Sequence, residues 1–71
     1  ALDGGHDGLD VIRKVIYKSK SILKLNGTLA LEIGRGQNYS VSNILRLNGF
    51  RVIKKIKDYK DNVRCIFSTL T

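Results

Sequence analysis

Glu32 is the residue whose type and position most strongly indicate chemistry. It is the only glutamate in the chain, and it stands near the end of the apolar run Thr28-Leu29-Ala30-Leu31-Glu32-Ile33. The length of this run suits a strand, and its composition suits one covered on both faces. A buried carboxylate is costly unless paired, and ligands of open α/β sheets gather at the carboxyl ends of the strands. Glu32 is therefore a candidate site residue, with a structural pairing to backbone amides or to Arg35 as the alternative.

The histidine and the cysteine do not predict a metal site. His6 and Cys65 are the only imidazole and thiol in the chain, and they fall far apart, in a loop and in a strand, whereas a metal site needs several ligands. We expect Cys65 to be a small core residue. Because a lone cysteine cannot form an intrachain disulfide, it suits a reducing, cytoplasmic location.

Two glycine motifs resemble nucleotide-binding loops but are incomplete. Gly34-Arg35-Gly36 lies between a strand and a helix, as in dinucleotide-binding folds, yet Tyr39 occupies the place of the third glycine. A loop at the end of a strand is the better interpretation. Gly5-His6-Asp7-Gly8 matches the GxxG loop of KH RNA-binding domains, but Asp7 and the neighbouring Asp3 and Asp10 would repel phosphates.

The net charge of +7 favours acidic partners such as nucleic acid or anionic lipid. The basic residues are scattered, so solvated faces explain most of them. Nucleic acid contact through the basic surface stays open at this point, and a small basic RNA-binding module is the alternative function, although the aromatic residues form no cluster in the sequence. No apolar stretch approaches the ~20 residues that span a bilayer, so we expect no membrane partner.

Hydrophobic periodicity and turn residues predict one α/β domain with the order helix, strand, helix, strand, strand. The first helix is expected at roughly residues 9–24. The predicted helix caps are Asp7 and Asn26-Gly27 for the first helix, and Asn38 or Ser40 and Asn48-Gly49 for the second. The predicted strands cover residues 28–33, 50–57 and 63–68. A polar turn joins the last two in a hairpin.

Several segments resemble the release factor glutamine methyltransferases. The first decapeptide, Ala1-Leu2-Asp3-Gly4-Gly5-His6-Asp7-Gly8-Leu9-Asp10, resembles the loop that follows the catalytic motif of that family. Leu31-Glu32-Ile33-Gly34, with Gln37 after it, resembles the family's fifth strand and its exit loop. Gly49-Phe50 resembles the start of the sixth strand, and Lys57-Asp58 with Arg64 fits the closing hairpin. The resemblance covers essentially the whole chain.

The resemblance implies that residues 1–71 are the C-terminal portion of a Rossmann-like methyltransferase domain, which is incomplete here. The chain begins at Ala1 and has no methionine, as expected of a piece of a longer protein. The implied activity is S-adenosylmethionine-dependent methyl transfer to the side-chain amide of a glutamine in a peptide chain release factor. The family's glycine-rich cofactor loop, ribose-binding acid and Asn-Pro-Pro-Tyr motif have no match, so we expect no catalytic and no cofactor-binding residue here, and no activity of the chain alone.

The resemblance also implies a substrate loop, in which Glu32 supports the backbone amides of residues 3–8. The candidate residues of this loop site are Asp3, Gly4, Gly5, Asp7, Gly8 and Glu32.

The implied topology is a mixed three-stranded sheet. Strand 28–33 should neighbour 63–68, with 50–57 outside and both helices on one face. Strand 28–33 is expected to lie inside a larger sheet, so here one of its edges should expose unpaired backbone groups and the side chains of Leu29, Leu31 and Ile33. The face opposite the helices should be bare. Such surfaces favour self-association.

Overall fold

The computed structural model describes residues 8–71. They form, in chain order, α1 (Asp10–Ile22), β1 (Thr28–Glu32), α2 (Asn38–Leu47), β2 (Phe50–Lys57) and β3 (Val63–Leu70). The predicted order of elements is confirmed, and β2 has the predicted bounds. None of the helices within residues 8–71 is long and apolar enough to cross a membrane.

The three strands form a sheet in the order β1-β3-β2. The prediction that strand 28–33 neighbours 63–68, with 50–57 outside, is therefore confirmed. The expectation of a mixed sheet is wrong for the described residues, because β3 pairs antiparallel with both β1 and β2. β1 and β2 run in the same direction, but β3 separates them, so no two parallel strands are adjacent.

Both helices cover the same face of the sheet. One buried cluster joins Ile16 of α1, Val41 and Leu45 of α2, and Leu31 and Ile66 of the sheet. Leu31 and Ile66 are direct partners in the β1–β3 pairing, which places their side chains on one face. The expected position of the two helices is thus confirmed.

β1 is covered on one face only, which corrects the expectation of two-sided cover. Leu31 is buried and Leu29 is half-buried, whereas Thr28, Ala30 and Glu32 are exposed on the opposite face. The expected exposure of Leu31 and Ile33 is also wrong, because both lie in the core shared with the helices. Strand side chains alternate between faces, and here the larger apolar residues all point toward the helices.

The helix ends depart from the predicted caps at three points. The N-cap of α1 is Leu9 rather than Asp7, which lies outside the described residues, and Leu9 has no side-chain cap. The N-cap of α2 is Gln37, which precedes the predicted Asn38 or Ser40 and makes no capping bond either. α1 already ends at Ile22, so Asn26 is not its stop. Asn26 does adopt a left-handed conformation, with φ of 68°, in the turn that leads into β1.

The end of α2 follows the prediction. Asn48 is its C-cap, and Gly49 follows with φ of +86°, a conformation that glycine adopts without the steric penalty of a side chain. The chain then enters β2 directly at Phe50, whose side chain is buried in the core. The Asn48-Gly49 pair therefore sets where β2 begins.

Candidate functional site

The carboxyl end of β1 brings together polar side chains from β1, from the start of α2 and from the β2–β3 hairpin. Gly34 and Gln37 lie on the loop that leaves β1 for α2. The β2–β3 turn lies at the same edge of the sheet, because β1 and β2 run in the same direction. Ligands of open α/β sheets bind at the carboxyl ends of the strands.

Gln37 connects the β1 exit loop to Gly8. The Gly34 N–H donates to Gln37 Oε1 at 2.7 Å, and Gln37 Nε2 donates to the Gly8 carbonyl oxygen at 3.4 Å. The Gln37 backbone N–H donates in turn to the Gly34 carbonyl at 3.2 Å. Since only the oxygen of the side-chain amide can accept from Gly34, the amide orientation is fixed and its nitrogen faces Gly8.

Arg64 connects the hairpin to the same end of β1. Its Nε donates to the Ile33 carbonyl at 3.2 Å, and the Ile33 N–H donates to the Arg64 carbonyl at 2.9 Å. Its Nη1 lies 3.6 Å from Asp58 Oδ2. A guanidinium offers several donors in a fixed plane, so one side chain holds the end of β1 and the β2–β3 turn together.

Asp58 organises the turn between β2 and β3. Its Oδ1 accepts from the backbone N–H groups of Lys60 at 2.8 Å and Asn62 at 3.0 Å. The backbone bond from Asn62 is the largest cause that holds the pKa of Asp58 below its ordinary value; the bond from Lys60 and the charge of Arg64 act in the same direction, against some burial. Asp58 is therefore a structural carboxylate that is ionised at neutral pH.

A concavity of about 340 Å³ opens between the end of β1 and the hairpin. Its lining residues are Glu32, Ile33, Asp58, Arg64 and Cys65. Glu32 is exposed there, which corrects the expectation of a buried carboxylate, because its side chain points away from the helices. Within residues 8–71, no hydrogen bond or ion pair joins the Glu32 side chain to another residue, so the alternative pairing with Arg35 is not formed.

Sequence comparison with known proteins shows the family to which the chain is similar. Over 58 residues, 82% of this chain, it is 47% identical to a release factor glutamine methyltransferase of Thermodesulfovibrio yellowstonii. It is 48% identical over 59 residues to that of Clostridium acetobutylicum, and 39% identical over 69 residues, 96% of this chain, to that of Moorella thermoacetica. The chain belongs to the release factor glutamine methyltransferase family. It spans about a fifth of the length of these relatives, with 21%, 21% and 24% of each covered.

Two other comparisons gave no match. No protein-family model matches the chain, and no solved structure matches it significantly. The assignment to the methyltransferase family thus rests on sequence identity over most of the chain.

The structure describes two of the six substrate-loop candidates. Gly8 and Glu32 both lie at the carboxyl end of β1, and Gln37 contacts Gly8. The other four, Asp3, Gly4, Gly5 and Asp7, lie outside the described residues. In the sequence, Gln37 and Arg64 stood out only as matches to the family pattern, and no role was predicted for either. The residue types could have indicated these roles, because each side chain lies near the end of a strand and can donate hydrogen bonds to backbone carbonyls.

The residues present do not form a site for S-adenosylmethionine by themselves. The Gly34 amide, on the turn where a glycine-rich loop would approach an anionic group, is already bonded to Gln37 Oε1 at 2.7 Å. Gly36 is in the left-handed conformation, with open space where a side chain would lie, but this one residue does not form a glycine-rich cofactor loop.

The RNA-binding alternative gains no support. The three tyrosines lie on three different elements, and the ammonium group of a different lysine lies over each ring. The pairs are Tyr17 of α1 with Lys20, Tyr39 of α2 with Lys55, and Tyr59 of the β2–β3 turn with Lys60. They form no joint platform for stacked bases. Within residues 8–71, no group of His, Cys, Asp and Glu could hold a metal ion.

We predict a pH-dependent cost for Asp58→Ala. A carboxyl whose folded pKa is depressed stabilises the fold fully above its unfolded pKa, about 3.9, and this contribution is lost as pH falls through the lower folded pKa. Thermal unfolding followed by circular dichroism should therefore show a lower midpoint than wild type at pH 7, and the difference should shrink in strong acid.

Asp61→Asn is the matched control for this prediction. It removes an exposed carboxylate from the same turn, one that pairs only with Lys57 at 3.4 Å, and exposed ion pairs contribute little. Its midpoint should follow wild type throughout. An Asp58→Ala deficit of constant size down to strong acid would contradict a role for the charge.

Proposed function

We propose that this chain is the C-terminal portion of a cytoplasmic, S-adenosylmethionine-dependent methyltransferase that methylates the side-chain amide of a glutamine in a peptide chain release factor. The observation that carries the proposal is the 35–48% identity to release factor glutamine methyltransferases over most of the chain. The sheet order β1-β3-β2 agrees with the order implied by the resemblance, in which strand 63–68 lies between 28–33 and 50–57. Lone Cys65 suits the cytoplasm.

The proposed reaction depends on geometry more than on acid–base chemistry. An amide nitrogen is a poor nucleophile, so the site must hold the amide by its hydrogens and its carbonyl, aim the nitrogen at the methyl group and exclude water. In this proposal the chain supplies a substrate loop at the carboxyl end of β1, and the cofactor is held elsewhere in the whole protein. The residues proposed for this loop site are Asp3, Gly4, Gly5, Asp7, Gly8 and Glu32.

A chimeric enzyme tests the proposed function. The matching segment of the Moorella thermoacetica relative is replaced by this chain, and transfer of labelled methyl groups to a release factor is measured. We expect the chimera to be active because the chain matches 69 residues of that relative at 39% identity. The 71-residue chain alone should transfer nothing and, in calorimetry, should not bind S-adenosylmethionine at micromolar concentration.

The unaltered relative is the positive control. A chimera that folds but is inactive, beside an active relative, would contradict the proposal. Micromolar cofactor binding by the chain alone would contradict the assignment of the cofactor site to other parts of the protein.

Glu32→Gln in the active chimera tests the proposed role of that carboxylate. The change keeps the shape and removes the charge. Because Glu32 is exposed and has no partner among the described residues, its carboxylate is available to loop amides or to substrate. We expect turnover to fall by ~10-fold, the scale at which supporting partners act in catalytic sites, with little change in thermal stability. Unchanged turnover would show that the charge has no part in the reaction.

We also propose that the chain alone self-associates through the edge of β1. Within residues 8–71, β1 pairs only with β3, so its other edge presents unpaired backbone groups. The adjoining open face carries exposed Ile56. Sedimentation at about 0.15 M salt, where the repulsion between charges is screened, should give a mass above that of the monomer. Ala30→Lys, which adds a charge at an exposed position of this strand, should lower it. A monomer at high concentration would contradict the proposal.

A further inference from the structure

We infer that Gln37 is a positioning residue for the proposed reaction: it holds Gly8, the described end of the proposed substrate loop, beside the carboxyl end of β1. The inference rests on the proposed function of the loop. Its physical basis is the pair of side-chain bonds that Gln37 makes, one to the strand exit and one to Gly8.

Hydrogen bonds on both sides hold the backbone of Gln37 in place. Its backbone N–H donates to the Gly34 carbonyl at 3.2 Å, and its carbonyl accepts from the Val41 N–H at 2.9 Å in the first turn of α2. Val41 is fully buried. The start of α2 therefore cannot shift without disturbing the core, and the side-chain amide can act as a rigid bridge.

Gly8 is held on both sides of its peptide group. Leu9, the next residue, is buried in the core, 5% exposed, and its carbonyl accepts from Arg13 in α1 at 2.8 Å. The Gly8 carbonyl is held by Gln37 Nε2. Gly8 itself has φ of +72°, a conformation that favours glycine. These constraints fix the plane of the peptide group between Gly8 and Leu9.

The bridge requires a side-chain amide, because one end must accept and the other must donate. A glutamate of the same shape would still accept from the Gly34 N–H, but at neutral pH it has no donor for the Gly8 carbonyl. A negative charge at the N-terminus of α2 is compatible with the helix dipole. Gln37→Glu therefore removes the contact with Gly8 selectively and leaves the strand-side bond and the helix intact.

Kinetics of the chimera test this inference. For Gln37→Glu we expect kcat/KM for the release factor to fall by ~10-fold or more, with KM for S-adenosylmethionine unchanged and the unfolding midpoint close to that of the parent chimera. Asn48→Ala is the matched control, because it removes a side-chain bond to the Ile44 carbonyl, 2.8 Å long, at the other end of the same helix. It should lower the midpoint and leave kcat/KM unchanged.

A Gln37→Glu chimera that is folded and as active as its parent would overturn the inference while leaving the proposed function intact. A parent chimera without activity would instead count against the proposed function. The two failures are therefore distinguishable.

NMR on the 71-residue chain tests the bridge without any activity. In wild type, Gly8 should have the backbone order parameter of a rigid residue, about 0.85, and in Gln37→Glu it should fall toward the flexible range below about 0.6. Asn48→Ala should leave Gly8 unchanged. Equal order at Gly8 in wild type and Gln37→Glu would overturn the inference whatever the chimera does.

Discussion

The antiparallel insertion of β3 between β1 and β2 is the constraint on which the rest of the structure depends. Ile66 of β3 is fully buried opposite Leu31 of β1, and this pair fixes the register of the sheet. A slip by one residue would move Ile66 to the open face and bring its neighbours into the core. The same register places Arg64 beside Ile33, so the burial of one apolar pair determines where the hairpin meets the end of β1.

Two long-range connections then converge on that end of β1. Arg64 reaches it from the hairpin and Gln37 from the start of α2, and each forms its hydrogen bonds there with backbone groups. Backbone N–H and C=O groups at the end of a strand need other hydrogen-bond partners where the pairing between strands stops. Satisfying them with side chains from other elements fixes the relative positions of the loop, the helix and the hairpin.

Element order, β2 and the end of α2 were predictable from the sequence because they depend on local signals. β2 is rich in β-branched residues between turn residues, and Asn48-Gly49 suits a helix stop. The position of β3 between the other strands came from the family resemblance, since strand order involves contacts that local patterns do not encode. The predicted N-cap of α2 was wrong because other hydrogen bonds competed with capping. Gln37 stands at the N-cap, but its side chain bonds to Gly34 and Gly8.

The burial of Glu32 was mispredicted for a different reason. In Thr28-Leu29-Ala30-Leu31-Glu32-Ile33, Ala30 counts as apolar, so the run looks continuous and two-sided. Alanine is small enough to sit on an exposed face at little cost, and once it is assigned there the run alternates in the ordinary way. A size-weighted pattern would have placed Leu29, Leu31 and Ile33 on one face and Glu32 on the other. The roles of the four loop candidates outside the described residues, Asp3, Gly4, Gly5 and Asp7, stay predictions.

The polar side chains of the site explain why this segment suits positioning better than chemistry. Gln37, Arg64 and Asp58 are each engaged with backbone groups, and the pKa of Asp58 is lowered by those bonds, which makes it a poor proton donor or acceptor near neutral pH. Glu32 is the carboxylate at this edge that has no partner within residues 8–71. Amide methylation asks for an oriented nitrogen and a dry site. Under the proposed function, this segment would orient the substrate loop through backbone hydrogen bonds and keep one carboxylate accessible, and the groups that act on the methyl donor would come from the rest of the enzyme.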